Sequence, residues 1–315
     1  MKIAVIIPTI RPELFESEFM PAWSEVFKKN KVHLYAVHDG DTPKVVYRNM
    51  GLSERADELE TATYPFIYNR TDAVRNLGFL TALQHVNPDI YISLDDDVLP
   101  HGDTIQKHVE ALQSYVSLDW MNTANEYRMR GLPYKMPKYP VLLSHGTWAG
   151  VPDFDAVQQL QYPDVRNVET HNMPIARGAY FPVCAMNMAF HKSVLPWIYQ
   201  APMGKKLFEA DGLPPIDRFA DIWGGVIAKH AIDNILGGAA WTGAAKVYHK
   251  RASDVFTNLR KEALGMELNE DLWKWAGRIC QGFDYPVDFP PHPYIRLYHD
   301  RLIEWQKEVK TYGIF

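Results

Sequence analysis

The chain has few cysteines, no long hydrophobic run and no excess of positive charge. Its two cysteines, Cys184 and Cys280, exclude a disulfide framework and any zinc site made only of cysteines. The 33 basic and 38 acidic residues give a net charge of −5, which argues against a general nucleic-acid-binding protein, because such proteins need a positive field. No apolar segment approaches the ~18 residues that a membrane-spanning helix requires.

The apolar stretch near the start of the chain is too short for the core of a signal peptide. Residues 3–7 are apolar, Pro8 follows them, and no small-residue cleavage site comes next. We therefore expect this stretch to form a buried first strand. We also expect the protein to be cytoplasmic, with its two thiols reduced.

Strand-like and helix-like segments alternate over the first 120 residues. Repeated strand–helix units predict an α/β fold with a doubly wound, mainly parallel sheet flanked by helices. We interpret residues 1–252 as one catalytic domain and residues 253–315 as a helical extension packed on it. Strands are expected at residues 3–7, 32–37, 89–94, 181–190 and 246–249. Helices are expected at residues 12–29, 72–85 with Asp72 as the cap, 103–117, within 218–235, from 254 onwards, and 295–312.

Polar side chains follow three of the predicted strands, at the point where each strand ends. Pro8, Thr9 and Arg11 follow the first, Asp39 follows the second, and the run Asp95–Asp97 follows the third. Open α/β sheets bind ligands beyond the carboxyl ends of their strands. The coincidence of these clusters therefore predicts a ligand site at that edge of the sheet.

Three adjacent carboxylates, Asp95, Asp96 and Asp97, are the strongest local signal. They repel one another unless a cation or hydrogen-bond donors lie nearby, and Mg²⁺ or Mn²⁺ prefers such oxygens together with substrate phosphates. The alternative is an acidic cap of the next helix. His249 ends a late strand and is a candidate third metal ligand, while Lys250 after it could neutralise a leaving diphosphate.

Three further residues have a functional and a structural interpretation. Arg75 could brace carboxylates or a pyrophosphate through its two-pronged guanidinium, or lie on a solvated helix face. Asp39 could hydrogen-bond the base or ribose of a nucleotide, or only form a turn. Asp221 could be a general base or accept a sugar hydroxyl, or cap a helix.

Six segments together carry a resemblance to a known family. The chain resembles the plant reversibly glycosylated polypeptides, also called UDP-arabinopyranose mutases, which are similar to metal-dependent glycosyltransferases of the GT-A type. The resemblance covers most of residues 1–260. The segments are Leu94-Asp95-Asp96-Asp97, Ser144-His145-Gly146-Thr147-Trp148, residues 151–156, residues 181–190 around Asn187, Asp221-Ile222-Trp223-Gly224-Gly225, and His249 with Ala252-Ser253.

The resemblance implies a GT-A-like, nucleotide-sugar-binding domain and a divalent metal, Mn²⁺ or Mg²⁺. It places Asp95, Asp97 and His249 at the metal and His145 and Asn187 among the nucleotide-sugar contacts. It implies a UDP-sugar as the binding partner, and a homo-oligomer is compatible with it.

The resemblance also singles out an arginine that becomes reversibly glycosylated in the family. Arg130-Gly131-Leu132-Pro133-Tyr134 matches its setting, with Leu132 in place of the usual aromatic residue. Lys135-Met136-Pro137-Lys138 stands where the plant proteins have a second arginine. Arg130 has a second interpretation, as a loop cation that clamps phosphate, because a protonated guanidinium is a poor nucleophile.

The activity that the resemblance implies is interconversion of the pyranose and furanose forms of a UDP-sugar. One alternative is a glycosyltransferase that passes the sugar to an acceptor. A second alternative is a nucleotide-sugar-binding protein with only weak hydrolysis.

Overall fold

The computed structural model describes residues 1–53, 55–119, 122, 127–204, 207, 213–250, 254–281 and 292–314. The strands in these ranges are β1 Ile3–Thr9, β2 His33–His38, β3 Lys44–Asn49, β4 Asp57–Leu59, β5 Ile90–Leu94, β6 Val98–Pro100, β7 Tyr115–Val116, β8 Tyr139–Gly150, β9 Met173–Ile175, β10 Asn187–His191 and β11 Ala239–His249. The α-helices are α1 Pro12–Leu14, α2 Met20–Lys29, α3 Arg75–Val86, α4 Thr104–Leu112, α5 Ala156–Gln161, α6 Ala220–Asn234, α7 Val255–Gln281 and α8 Pro293–Lys310.

The strands form one sheet in the order β4-β3-β2-β1-β5-β10-β8-β11-β6, with β7 beside β8 and β9 beside β11. The predicted parallel pairing holds for β2-β1-β5 and for β8-β11. Strand β10 runs antiparallel between β5 and β8, and the outer strands are also antiparallel. The α/β class is confirmed, and the antiparallel insertion of β10 is what the sequence pattern did not predict.

Helices cover both faces of the sheet, because side chains along each strand alternate between two cores. In β1, Ala4 and Ile6 pack on the side of α3, α6, α7 and α8, whereas Val5 and Ile7 pack on the side of α2 and α4. This alternation makes the sheet doubly wound, as predicted.

Several predicted boundaries differ from the observed ones. Thr71, not Asp72, is the cap: its hydroxyl accepts a hydrogen bond from the N–H of Ala73, and a 3₁₀ turn precedes α3. Helix α4 ends at Leu112, because the next residues turn into β7. The predicted strand at residues 181–190 begins only at Asn187. Strands β3, β4 and β8 were not predicted.

The C-terminal helices α7 and α8 pack on the same core as α3 and α6. The indole N–H of Trp305 donates to the carbonyl of Leu195 at 2.9 Å, and Leu272 and Tyr298 are fully buried. The predicted boundary between residues 252 and 253 lies outside the described residues, so the division into two parts stays a prediction. Within the described ranges, no helix combines the length and hydrophobicity that crossing a bilayer demands.

Candidate functional site

Arg75 is buried and donates hydrogen bonds to residues at the end of strand β5. It is the first residue of α3 and only 2% exposed. Its guanidinium donates to the hydroxyl of Ser93 and the carbonyl of Ala185, both at 2.7 Å, and to Oδ1 of Asp95 at 2.5 Å. Of its two predicted roles, bracing a carboxylate is therefore the one the structure supports. Arg75 does not line the cleft described below, and its predicted contact with the nucleotide stays a prediction.

Asp96 is neutralised by the residues that follow β1. The hydroxyl of Thr9 donates to Asp96 Oδ2 at 2.6 Å, and the guanidinium of Arg11 pairs with the same carboxylate. The backbone N–H of Arg11 donates to the Thr9 hydroxyl at 3.0 Å. Asp96 therefore ties β1 to the end of β5, while its neighbours Asp95 and Asp97 line the cleft.

A cleft of about 930 Å³ opens at this edge of the sheet. Among the described residues, eight carboxylates but only two arginines line it, together with His249. Such a surface repels a diphosphate unless a cation offsets its charge. The carboxylates belong to Asp72, Asp95, Asp97, Asp153, Asp155, Asp221, Glu262 and Glu270.

Three of these carboxyl groups have a raised pKa. Burial raises the pKa of Asp97 and of Asp221 to about 6, and the pKa of Asp72 to about 7. The neighbouring Asp95 carboxylate adds to each of these pKa shifts, because bringing like charges together disfavours ionisation. The cleft is therefore short of positive charge.

His249, the last residue of β11, presents one ring nitrogen to the cleft. Its Nδ1 lies 3.0 Å from the carbonyl oxygen of Val151. A carbonyl can only accept, so Nδ1 carries the proton and Nε2 of the neutral ring keeps a lone pair. A carbonyl that orients the imidazole in this way is the usual support of a metal-bound histidine.

The predicted metal ligands share the cleft without forming a closed metal cage. In the part of the chain that the structure describes, no group of three or more His, Cys, Asp or Glu side chains is placed to hold a metal ion. Mg²⁺ and Mn²⁺ commonly take one or two carboxylates from the protein and further oxygens from water and substrate phosphates. Asp95, Asp97 and His249 line the cleft and can supply one or two ligands of such an open site, but the described residues do not place all three around one ion.

Comparison with known proteins gives a consistent result. Residues 1–280 match the family described as "Reversibly glycosylated polypeptide". The chain belongs to this family. It is 31% identical over 301 residues to probable UDP-arabinopyranose mutase 1 of Pisum sativum, and 30% identical over 300 residues to UDP-arabinopyranose mutase 3 of Arabidopsis thaliana. Each alignment covers 86% of this chain and 76% of the relative.

One solved structure shares a weaker likeness. It is a mannosyltransferase from Pyrobaculum calidifontis in complex with GDP-Man and Mn²⁺, at 14% identity and a TM-score of 0.42, covering 99% of this chain and 73% of that one.

Two residues that the resemblance to the reversibly glycosylated polypeptides placed at the nucleotide-sugar lie in a buried network. Asn187 is 1% exposed, and its amide donates to the carbonyl of Thr147 at 3.0 Å. Its oxygen then faces Nε2 of His108 at 2.9 Å, and Nδ1 of His108 faces the hydroxyl of Ser144 at 2.9 Å. A Cβ at Gly146 would lie 2.1 Å from the Asn187 amide nitrogen, so this network requires glycine there.

His145 is also buried, and its Nδ1 lies 3.1 Å from the hydroxyl of Thr242. The ring packs edge-on against Trp148 and Phe181. Neither His145 nor Asn187 lines the cleft, and their contact with the nucleotide-sugar stays a prediction. Through these hydrogen bonds the family segments connect β8, β10, β11 and α4 in the protein interior.

We expect the buried histidine His108 to make the protein less stable in acid. Burial lowers the pKa of His108 to about 4, against about 6.5 in an unfolded chain. Between these values only the unfolded state takes up the proton, so stability falls as pH drops from about 6.5 to 4, by up to ~1.4 kcal/mol per pH unit. Urea unfolding across this range checks the slope. In His108→Gln the slope of the unfolding free energy against pH should be smaller by the contribution of one proton. An unchanged slope would contradict this role of His108.

Other predicted contacts lie around the cleft rather than in it. Lys250 is exposed and pairs with Glu18 at 3.5 Å, so its predicted role at the diphosphate has no support. Asp39 accepts hydrogen bonds from the backbone N–H groups of Gly40 and Arg70, both at 2.8 Å. Pro8 lies within β1 and does not border the cleft. The nucleotide contact of Asp39 stays a prediction.

The arginine that the resemblance singled out does not reach the cleft. Arg130 is exposed, with Gly131 after it at a φ of 99°. Nearby, the guanidinium of Arg128 stacks on Tyr134 at 5.0 Å from the ring centre. The structure thus does not bring Arg130 together with Asp221, the other predicted catalytic residue, which does line the cleft.

Sequence reasoning did not assign six charged residues of the cleft to the site: Asp72, Asp153, Asp155, Arg218, Glu262 and Glu270. Asp72 was assigned only as a cap, and Asp153 lies in a family segment without an assigned role. Arg218 and Glu262 carried no signal, because they form part of the site only through the packing of α6 and α7.

Proposed function

We propose that this protein interconverts the pyranose and furanose forms of a UDP-pentose with the help of a divalent metal ion. The observation that carries the proposal is the set Asp95, Asp97 and His249 in an acid-rich cleft, in a chain whose relatives are named UDP-arabinopyranose mutases. The carboxyl ends of parallel strands are where such sheets bind nucleotides, which supports the same placement.

One or two of Asp95, Asp97 and His249 would hold the metal, and substrate phosphates and water would supply its other ligands. Bound Mn²⁺ or Mg²⁺ would supply positive charge that offsets the diphosphate of the substrate. Asp95 is already fixed by Arg75, and His249 by the Val151 carbonyl, so both ligands are oriented before substrate binds.

Ring interconversion needs proton transfers on the sugar. The bond between the anomeric carbon and the diphosphate oxygen breaks, and its electron pair leaves with UDP. Another hydroxyl of the sugar loses its proton and bonds to the anomeric carbon in place of UDP. The bond between that carbon and the original ring oxygen then breaks, the original ring oxygen takes the electron pair and a proton and becomes a hydroxyl, and a diphosphate oxygen of UDP bonds to the anomeric carbon again. A group with a pKa near the working pH can both take and return a proton. Asp221 and Asp72 have this property.

Asp221 is the better positioned of these two groups. Its Oδ2 accepts the backbone N–H of Ala185 at 2.8 Å, and its Oδ1 accepts the N–H of Ile222 at 2.9 Å. The carbonyl of Ala185 in turn accepts a hydrogen bond from Arg75, so one residue, Ala185, connects Asp221 to the arginine that pairs with Asp95.

NMR of UDP-arabinopyranose incubated with the protein tests the proposal. We expect furanose signals to grow with Mn²⁺ and to stop growing with a chelator. Asp221→Asn should lower the rate by about 10²–10⁴-fold, because it removes a proton-transfer group, while UDP affinity stays unchanged. Release of free arabinose alone would indicate a hydrolase, and turnover only with an added acceptor would indicate a transferase. Either result would replace the proposal.

A role for Arg130 in the same reaction is a separate proposal, supported by the family resemblance. Intact-protein mass spectrometry after incubation with UDP-sugar tests it. We expect an adduct on the wild-type protein and none on Arg130→Lys. Turnover that survives the substitution without any adduct would show that the sugar is held without a covalent bond to this residue.

A further inference from the structure

Arg218 is held in an unfavourable backbone conformation at the wall of the cleft. Its φ is 68°, in the left-handed region that residues with a Cβ rarely adopt. Such a conformation persists only where the surroundings enforce it, and it is concentrated at functional sites. Arg218 immediately precedes Phe219 and the start of α6.

Contacts from three directions enforce this conformation. The N–H of Arg218 donates to Oδ1 of Asp217 at 3.0 Å, and Asp217 is held by the backbone carbonyl and the ammonium group of Lys261 on α7. Nε of Arg218 donates to Oε1 of Glu262 at 2.6 Å. Glu262 is 3% exposed, and its other oxygen accepts the N–H of Ala156 at 2.7 Å.

The fixed guanidinium keeps most of its donors for a ligand. Within the described residues, neither terminal amino group of Arg218 has a hydrogen-bond partner, since Glu262 binds only Nε. The other arginine of the cleft, Arg11, is already paired with Asp96, and Lys250 pairs with Glu18. Of the two arginines that line this carboxylate-rich cleft, Arg218 is therefore the one whose two terminal amino groups both lack a partner among the described residues, although its Nε is paired with Glu262.

Arg218 also lies on the same side of the cleft as the predicted metal ligand His249. Both residues border a smaller adjoining cavity of about 320 Å³ as well as the main cleft. A guanidinium in this position borders the same cavity as His249, and its planar donors match phosphate oxygens.

We propose that Arg218 donates hydrogen bonds from its terminal amino groups to the diphosphate of the nucleotide-sugar, an inference that rests on the proposed function. When the bond to the anomeric carbon breaks, the electron pair and its negative charge pass to the diphosphate oxygen. A preorganised guanidinium stabilises that charge and keeps UDP in place for recapture of the sugar. The helix α7 contributes through Glu262, which positions the guanidinium.

Calorimetry with Mn²⁺ on the full chain tests this assignment. Arg218→Gly removes the guanidinium and relieves the left-handed conformation, but it leaves the buried Glu262 without its partner, so circular dichroism and urea unfolding must first show that the variant is folded at the temperature of the titration. We expect UDP and UDP-arabinose to bind at least about 10-fold more weakly, as for a lost charge-assisted hydrogen bond, with uridine binding unchanged. Arg218→Lys should recover part of the affinity.

Arg166→Gln is the matched control. Arg166 borders the smaller cavity and is exposed, but its guanidinium is bound to the backbone carbonyls of Pro163 and Val165. Arg166→Gln should bind UDP normally. An equal loss of UDP affinity in this control would show that the effect of Arg218→Gly comes only from the lower positive charge of the protein. Unchanged UDP affinity in Arg218→Gly overturns the assignment, as does a loss confined to UDP-arabinose, which would indicate sugar contacts. If the wild-type protein binds no UDP, the proposed function fails, and this inference fails with it.

Discussion

Replacing Asp97 with asparagine is expected to weaken UDP binding in the presence of Mn²⁺ by about 100-fold, the scale on which disturbed metal sites lose affinity. Asparagine keeps the shape of the side chain but removes its charge. Within the described residues Asp97 accepts no hydrogen bond, and Arg11 comes no closer than 4.0 Å, so its oxygens are available to a metal. Calorimetry with Mn²⁺ and with a chelator measures the effect.

Asp96→Asn supplies the control for this experiment, because it removes the same charge one residue away. Asp96 is turned toward Thr9 and Arg11, so its substitution should leave most of the Mn²⁺-dependent affinity intact. Equal affinity of wild-type protein with metal and with chelator would contradict the metal site. So would an Asp97→Asn protein with normal Mn²⁺-dependent binding.

The largest loss of stability is expected for Arg75→Met. The substitution leaves the Asp95 carboxylate, the Ser93 hydroxyl and the Ala185 carbonyl without their shared donor. Removing one partner of a buried ion pair costs about 3–5 kcal/mol, and we expect about 3 kcal/mol because Asp95 is one-third exposed. Urea unfolding followed by circular dichroism measures the change in unfolding free energy.

A double substitution separates the ion pair from the other contacts of Arg75. Adding Asp95→Asn to Arg75→Met removes the unpaired charge, so the double variant should regain part of the lost stability. If Arg75→Met instead unfolds like the wild-type protein but fails to bind UDP, Arg75 would contact the nucleotide and the present assignment would be wrong.

Local patterns in the sequence were sufficient for the strands that carry the site. The apolar stretches before Thr9 and before Asp95 are short, buried on both faces and followed by polar residues, which is how strands of a parallel sheet end. The acidic run was visible for the same reason. Strand β8 was missed, because the polar residues Ser144, His145 and Thr147 interrupt its apolar pattern.

The surroundings of polar residues within family segments could not be predicted from the sequence. A sequence shows that His145 and Asn187 are polar, but not whether a ligand or a buried partner satisfies them. The partners are distant in the chain: Asn187 meets His108 across 79 positions, and His145 meets Thr242 across 97. Such hydrogen bonds form only when the strands are aligned, so the sequence could not show them, and it was the family resemblance that placed these residues at the ligand.

The sequence by itself determined the α/β class, the family and the position of the acidic run at the end of β5, because these depend on hydrophobic periodicity and on residues adjacent in the chain. Only the tertiary structure decided which carboxylates face the cleft and which arginine keeps unpaired hydrogen-bond donors there. Arg75 is directed at Asp95, Arg11 at Asp96, and Arg218 is fixed by Glu262 of α7. The charge of a site is the sum over groups that packing brings together, so it is fixed by the folded chain and not by any one segment of it.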